Sequence, residues 1–179
     1  MGFMGGKVTA YIGLGSNQGD RFTYLQQAVT ALKRRDEIRV VCTSPVYESE
    51  AHVRSSEDST APFMNAVVEL RTSLPPMDLL HVCQEIERQA GRSHETSGVW
   101  EARTLDLDLL IYGAHTAATD ELTVPHPRMG DRRFVLQPLV DISPDCWVPE
   151  PYAAPARELL EECPDDHAMR RTDLQLRGR

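Results

Sequence analysis

The stretch Arg103-Thr-Leu-Asp-Leu-Asp-Leu-Leu-Ile-Tyr112 alternates polar with apolar residues and then turns wholly apolar. Successive side chains on a strand leave opposite faces, so this pattern predicts a strand running into a core. Leu105, Leu107 and Leu109 share the face to be buried. Asp106 and Asp108 share the other, about 6.6–6.8 Å apart along the chain. An isolated D-x-D is common, and a solvated strand face is its plainest reading. Two carboxylates held side by side on a rigid strand also repel unless a cation lies between them. Hard oxygen ligands of this kind suit Mg²⁺, which keeps waters and substrate phosphate oxygens in its shell.

The rest of the chain falls into place around that strand. Residues 7–15 read as a strand, and Ser16-Asn17-Gln18-Gly19-Asp20 as a turn. Phe22, Leu25, Ala28, Val29 and Leu32 recur at helical spacing and predict a helix over 21–34. Residues 37–47 are β-rich, and 48–62 form a polar loop. A strand follows at 63–71, with Met64, Ala66, Val68 and Leu70 on one face and Phe63, Asn65, Val67 and Glu69 on the other. Pro75-Pro76 opens a helix over 76–90, striped by Met77, Leu80, Cys83, Ile86 and Ala90 and ended by Gly91. A second polar loop covers 92–102. After the strand at 103–112 come a loop at 123–133, a short helix at 133–140 and a last helix at 155–162. The tail after Pro164 is polar and expected to fray. The order β-α-β-β-α-β predicts an α+β, ferredoxin-like fold, with helices flanking an antiparallel sheet in an α/β/α sandwich. One domain over 1–179 is expected, with its core at about 8–160.

Composition narrows the function. The chain has 179 residues, 19 basic and 27 acidic side chains, and a net charge of −8. Hydrophobic content of 41% and charged content of 26% are ordinary for a globular chain and exclude disorder throughout. No apolar run reaches the ~20 residues of a membrane span, and the start lacks the apolar core of a secretory signal. Cys42, Cys83, Cys146 and Cys163 are scattered and form no C-x-x-C pair, which suits free thiols in a reducing cytoplasm. Broad nucleic-acid binding wants clustered positive charge, and the acidic balance opposes it. Residues 1–47 carry six basic and three acidic groups, whereas 48–135 carry eight and fifteen. The acidic excess therefore begins where the aspartate pair lies.

Around that pair stand Arg92, Arg103, Arg128, Arg132 and Arg133, all in predicted loops. Guanidinium forks match phosphate geometry, and carboxylates that bind metal beside loop arginines suit a polyphosphate. Surface salt bridges are the equal alternative for Arg128 and Arg133. Gly13-Leu-Gly15-Ser-Asn-Gln-Gly19 is neither a dinucleotide fingerprint nor a Walker loop. It could let backbone approach a ligand, or simply pack a tight turn. Asn65, on the same strand face as Phe63, could read the edge of a flat heterocycle; a solvent-facing strand position is the competing reading.

The stretches Tyr11-Ile-Gly-Leu-Gly-Ser-Asn17, Phe63-Met-Asn-Ala-Val-Val68, Ile86-Glu-Arg-Gln-Ala-Gly-Arg92, Trp100-Glu-Ala-Arg-Thr-Leu-Asp-Leu-Asp108, Leu122-Thr-Val-Pro-His-Pro127 and Phe134-Val-Leu-Gln-Pro-Leu139 follow one another in order. Together they resemble the 6-hydroxymethyl-7,8-dihydropterin pyrophosphokinase (HPPK) family of the folate pathway, over roughly residues 8–160. The resemblance implies Mg²⁺-dependent transfer of pyrophosphate from ATP to the pterin hydroxymethyl group, with release of AMP. It implies two Mg²⁺ ions on Asp106 and Asp108. It places Asn65 on the pterin edge, with Phe63, Phe134, Trp100 and Gly15 around the ring. It assigns Arg92 and Arg103 to the phosphates during transfer. Gln84, Glu87, Leu109, Thr123, His126 and Arg132 fall on nucleotide-site positions, together with Trp100. The implied partners are the small molecules ATP and pterin, with no nucleic acid and no membrane, and a monomer is expected.

The chain departs from the family pattern in places. Glu48-Ser-Glu-Ala-His-Val53 replaces a Thr-x-Pro segment, His94 stands at a commonly basic position, and Ala102 replaces a proline. Two rival readings belong to other classes. A binding module on the same scaffold would hold nucleotide or pterin without forming AMP. A Mg²⁺-dependent hydrolase or nuclease would release nucleotide without any pterin acceptor.

Overall fold

A computed structural model describes residues 6–51, 61–91 and 104–178. The chain begins with β1 (Val8–Ser16), α1 (Arg21–Lys33), β2 (Ile38–Thr43) and β3 (Pro45–Ser49). It continues through β4 (Phe63–Thr72), α2 (Pro76–Gln89) and β5 (Asp106–Tyr112). Two short strands, β6 (Ala117–Ala118) and β7 (Thr123–Val124), pair with each other before a 3₁₀ turn at Met129–Asp131. Then come α3 (Arg133–Ile142), the paired β8 (Trp147–Val148) and β9 (Ala154–Pro155), α4 (Ala156–Glu161) and β10 (Met169–Gln175).

The main sheet runs β10-β3-β4-β1-β5, with β2 also paired to β4, and every pairing is antiparallel. It is the ferredoxin-like order expected from the sequence, with helices on both faces. One face packs on α1 and α2: Ala10, Ile12, Leu14, Val68, Leu70, Leu107 and Leu109 meet Leu25, Val29, Leu32, Leu79, Cys83 and Ile86. Across the sheet, Tyr11, Val67, Leu110 and Ile111 meet Val135, Leu136 and Leu139 of α3 and Ala156 of α4. Burying each of the larger aliphatic side chains contributes roughly 1.5–3 kcal/mol relative to exposure. The ladder between β1 and β5 shifts register after Tyr11. Leu110 and Ile111 consequently join the same core, against strict alternation.

Local signals explain the helix ends. Asp20 caps α1 by accepting from the Thr23 amide at 3.1 Å and its hydroxyl at 2.7 Å. Gly91, at φ +95, follows α2 in the left-handed conformation that suits glycine.

Three expectations change. The 37–47 strand is broken at Ser44, whose amide donates to the Val67 carbonyl while its hydroxyl accepts from the Val67 amide. The tail after Pro164 does not fray: β10 pairs with β3, and Leu176 is buried in the core. On α2, Leu79 is fully buried while Leu80 is only partly so, and Glu87 is buried as well. The 48–62 and 92–102 loops lie largely outside the described residues.

Candidate active site

On the α3 side of the sheet, each central strand passes from covered to open. Tyr11 lies beneath α3, whereas Gly13 and Gly15 lie beyond its start; Val67 gives way to Asn65 and Phe63, and Ile111 to Asp108 and Asp106. The result is a cleft of about 330 Å³ floored by the sheet and walled by His126, Arg132, Phe134 and Val135. That is the size range of small-molecule sites.

Register arranges the floor in rows. Tyr47 pairs with Asn65, Asn65 with Gly15, and Gly15 with Asp106. The next row joins Val67, Gly13 and Asp108. Strands lie about 4.8 Å apart, so Asn65 and Asp106 stand roughly 10 Å from one another with only a glycine between them. A methyl on Gly15 would lie 3.4 Å from the Asn65 Oδ1 and 3.8 Å from the Phe63 ring. Glycine keeps this part of the floor low.

Asn65 is 3% exposed and donates from Nδ2 to the Ser49 hydroxyl at 2.7 Å. That bond sets the amide's orientation, with Oδ1 beside Gly15. Sequence reasoning missed Ser49, which also lines the cleft. A lone serine after a strand carries no spacing signal, and only the β3–β4 register brings it to Asn65. Burial pushes the Tyr47 phenol up to about 12, reinforced by its hydrogen bond to Asp141, which ties α3 to β3.

His126 is fixed on several sides. Its amide donates to the Leu110 carbonyl at 2.8 Å, and its Nδ1 accepts from the Arg128 amide at 3.2 Å. The neutral ring thus carries its proton on Nε2. Burial lowers its pKa, Asp108 opposes that, and Arg132 adds to it. The Arg132 guanidinium lies 5.7 Å from the Phe134 ring centroid, a cation–π distance.

Eight of the residues singled out from the sequence therefore line one cleft: Gly15, Phe63, Asn65, Asp106, Asp108, His126, Arg132 and Phe134. Gln84, Glu87, Leu109 and Thr123 do not line it. The Leu109 side chain belongs to the core, so any ligand contact there is through backbone. The Glu87 carboxylate accepts from the Leu107 amide at 2.8 Å, between the two aspartates, and so bears on the strand itself. Arg92, Trp100 and Arg103 lie outside the described residues.

Among the described residues no group of three or more His, Cys, Asp or Glu is placed to hold a metal. Asp106 and Asp108 fit Mg²⁺ in a different manner, as two hard oxygen donors on one strand face with coordination left for water and phosphate. No helix among the described residues is long and apolar enough to cross a membrane.

The sheet and cleft define a ferredoxin-like α+β domain with a small-molecule site whose floor is apolar and amide-bearing at one end and carboxylate-bearing at the other. Residues 11–144 match the family model for 7,8-dihydro-6-hydroxymethylpterin-pyrophosphokinase (HPPK), and the chain belongs to that family. It is 45% identical over 133 residues to a 2-amino-4-hydroxy-6-hydroxymethyldihydropteridine pyrophosphokinase of Bacillus subtilis, covering 74% of this chain and 77% of the relative. It is 40% identical over 154 residues to the Pseudomonas aeruginosa protein of the same name, covering 86% and 91%. An HPPK-DHPS crystal structure in complex with substrates superposes with a TM-score of 0.66 at 13% identity, covering 88% of this chain and 43% of the other. Plasmodium falciparum HPPK-DHPS with pteroate gives 0.67 at 15% identity, covering 90% and 43%. The chain thus spans less than half of those longer chains, and their likeness concerns the fold.

Proposed function

We propose that this protein transfers the pyrophosphate group of ATP to the hydroxymethyl oxygen of 6-hydroxymethyl-7,8-dihydropterin in folate biosynthesis. The pterin hydroxyl oxygen bonds to the β-phosphorus and gives up its proton to water, the bond from that phosphorus to the oxygen on the α-phosphate breaks, and AMP leaves. The observation that carries this reading is the row Asn65–Gly15–Asp106. A flat heterocycle whose edge meets Asn65, beside Phe63 and Phe134, extends its one-carbon arm over Gly15 toward the carboxylates.

Asp106 and Asp108 would hold two Mg²⁺ ions, which when bound neutralise phosphate charge and acidify the attacking hydroxyl. His126 presents a neutral Nε2–H donor toward the nucleotide, and Arg132 supplies fixed positive charge. Arg92 and Arg103 would meet the phosphates during transfer, and Trp100 would cover the closed site. Gln84 and Thr123, with the Leu109 backbone, would extend the nucleotide side beyond the cleft, and Glu87 would support it through its bond to the Leu107 amide. The chain acts as one cytoplasmic, monomeric domain on small molecules.

The test is AMP formation from ATP with Mg²⁺, with and without pterin. AMP must appear with the pterin diphosphate and depend on pterin. AMP or phosphate released equally without pterin indicates a hydrolase, and binding without AMP indicates a non-catalytic module.

A further inference from the structure

We propose that Tyr152 is a positioning residue for the nucleotide side of the cleft, acting through the loop that carries His126 and Arg132. The inference rests on the assignment of those two residues to the nucleotide. The Tyr152 hydroxyl lies 2.9 Å from the Pro127 carbonyl and 3.1 Å from the His126 carbonyl, to which it donates, and it accepts from the Gly130 amide at 3.3 Å. One phenol therefore knits backbone groups on both sides of Arg128. Within the loop the Met129 amide donates to His126, that of Asp131 to Arg128 and that of Arg132 to Met129, all short-range bonds. The buried Met129 side chain anchors the loop in the core, and the His126 amide bond to Leu110 ties its start to β5; the long-range bonds from Tyr152 hold its backbone on both sides of Arg128.

The ring has a seat made for it. Gly130 carries no Cβ, and one placed there would come within 2.6 Å of the Tyr152 Cε1, too close for any real contact. The ring also packs against the core beneath α3. A tight turn delivers it: the amides of Tyr152 and Ala153 both donate to the Pro149 carbonyl, and Ala153 sits at φ +47. A left-handed alanine is costly and persists only where its surroundings enforce it. Tyr152 lies beyond residues 11–144, the stretch that matches the family model.

Tyr152→Phe keeps the ring and removes the hydroxyl, while Gly130→Ala keeps the hydroxyl and displaces the ring. Each should weaken ATP about five- to tenfold, the scale of one lost hydrogen bond, in both KM and the Kd of a non-hydrolysable ATP analogue with Mg²⁺. The kcat and the KM for pterin should stay within about twofold. Tyr11→Phe is the control, because it removes a hydroxyl bonded to Ser143 in the same core away from the cleft. The inference is overturned if Tyr152→Phe lowers Tm but leaves ATP affinity unchanged, or if Tyr11→Phe weakens ATP equally. If neither His126→Ala nor Arg132→Ala moves ATP affinity, the nucleotide assignment itself falls, and the inference with it.

Discussion

Asn65 and Asp106 flank Gly15 from its two neighbouring strands and share one row of the sheet. The group that would orient a ring and the group that would organise phosphate are thus held at a spacing set by backbone hydrogen bonds. No loop movement is needed to bring these two ends together. A rigid floor favours reaction by fixing the approach of the reacting atoms.

Gly15→Ala tests that floor. The added methyl makes only ordinary contacts at 3.4 and 3.8 Å, so the fold should tolerate it. It nevertheless rises between Asn65 and Asp106. The KM for pterin should increase at least about tenfold while Tm changes by only a few degrees. Steady-state kinetics beside calorimetry will show it, and an unchanged KM would place the pterin elsewhere.

Asp106→Ala and Asp108→Ala should each lower kcat about 100- to 1000-fold, the scale seen when a preorganised electrostatic group is removed. Full pterin-dependent AMP release by either variant would remove that residue from the metal assignment.

Glu87→Ala should destabilise the protein by about 1–3 kcal/mol, because it leaves the Leu107 amide without its carboxylate acceptor in a buried place. Glu87→Gln retains an acceptor oxygen and should cost less. Urea unfolding of the two variants separates the charge from the hydrogen bond.

The strands that carry the aspartate pair, the glycines and Asn65 were legible from their apolar patterning, whereas a solvated face or a tight turn explained those residues equally well until the six motifs were seen to resemble one family. The helices were legible because their apolar stripes are long. The last strand was not. Met169-Arg-Arg-Thr-Asp-Leu-Gln175 is half-buried at most, so hydrophobic pattern says nothing about it. Backbone pairing to β3 and the anchor Leu176 place it instead. Glu87 was hidden in a different way, as a polar residue in a helix whose burial makes sense only once β5 lies against it. Ser49 and Tyr152 act through single hydroxyls brought from distant positions, which no local spacing records.

Leu176→Ala should therefore cost about 2 kcal/mol or more, as for other large-to-small changes at buried sites. A polar tail without structural weight would show no such loss in thermal unfolding.

Acid should loosen the region where β10 meets β3. Arg21 lies 2.7 Å from Glu48 and holds its carboxyl below the usual glutamate value, helped by Arg170. A lowered carboxyl stabilises the fold above its unfolded pKa of about 4.3, and that contribution is lost as pH falls through the folded value. Glu48→Gln should cost about 0.5 kcal/mol near pH 7, modest because the pair is partly solvated, and nothing near pH 3. Parallel Tm-versus-pH curves at both ends would contradict it.

The Thr172 hydroxyl meets the Val46 carbonyl across 126 residues of sequence, and that separation bears on how the chain is made. A ribosome delivers β3 early and β10 late. In the interval β3 has one side paired with β4 and the other open, a ready template for another nascent chain. Glu48 and Glu50 sit on and beside that open side. Later, Glu48 meets Arg170, and Glu50 exchanges hydrogen bonds with Ala168. The sheet is thus closed by the last of its strands to be made, and this acidic pair fastens it there.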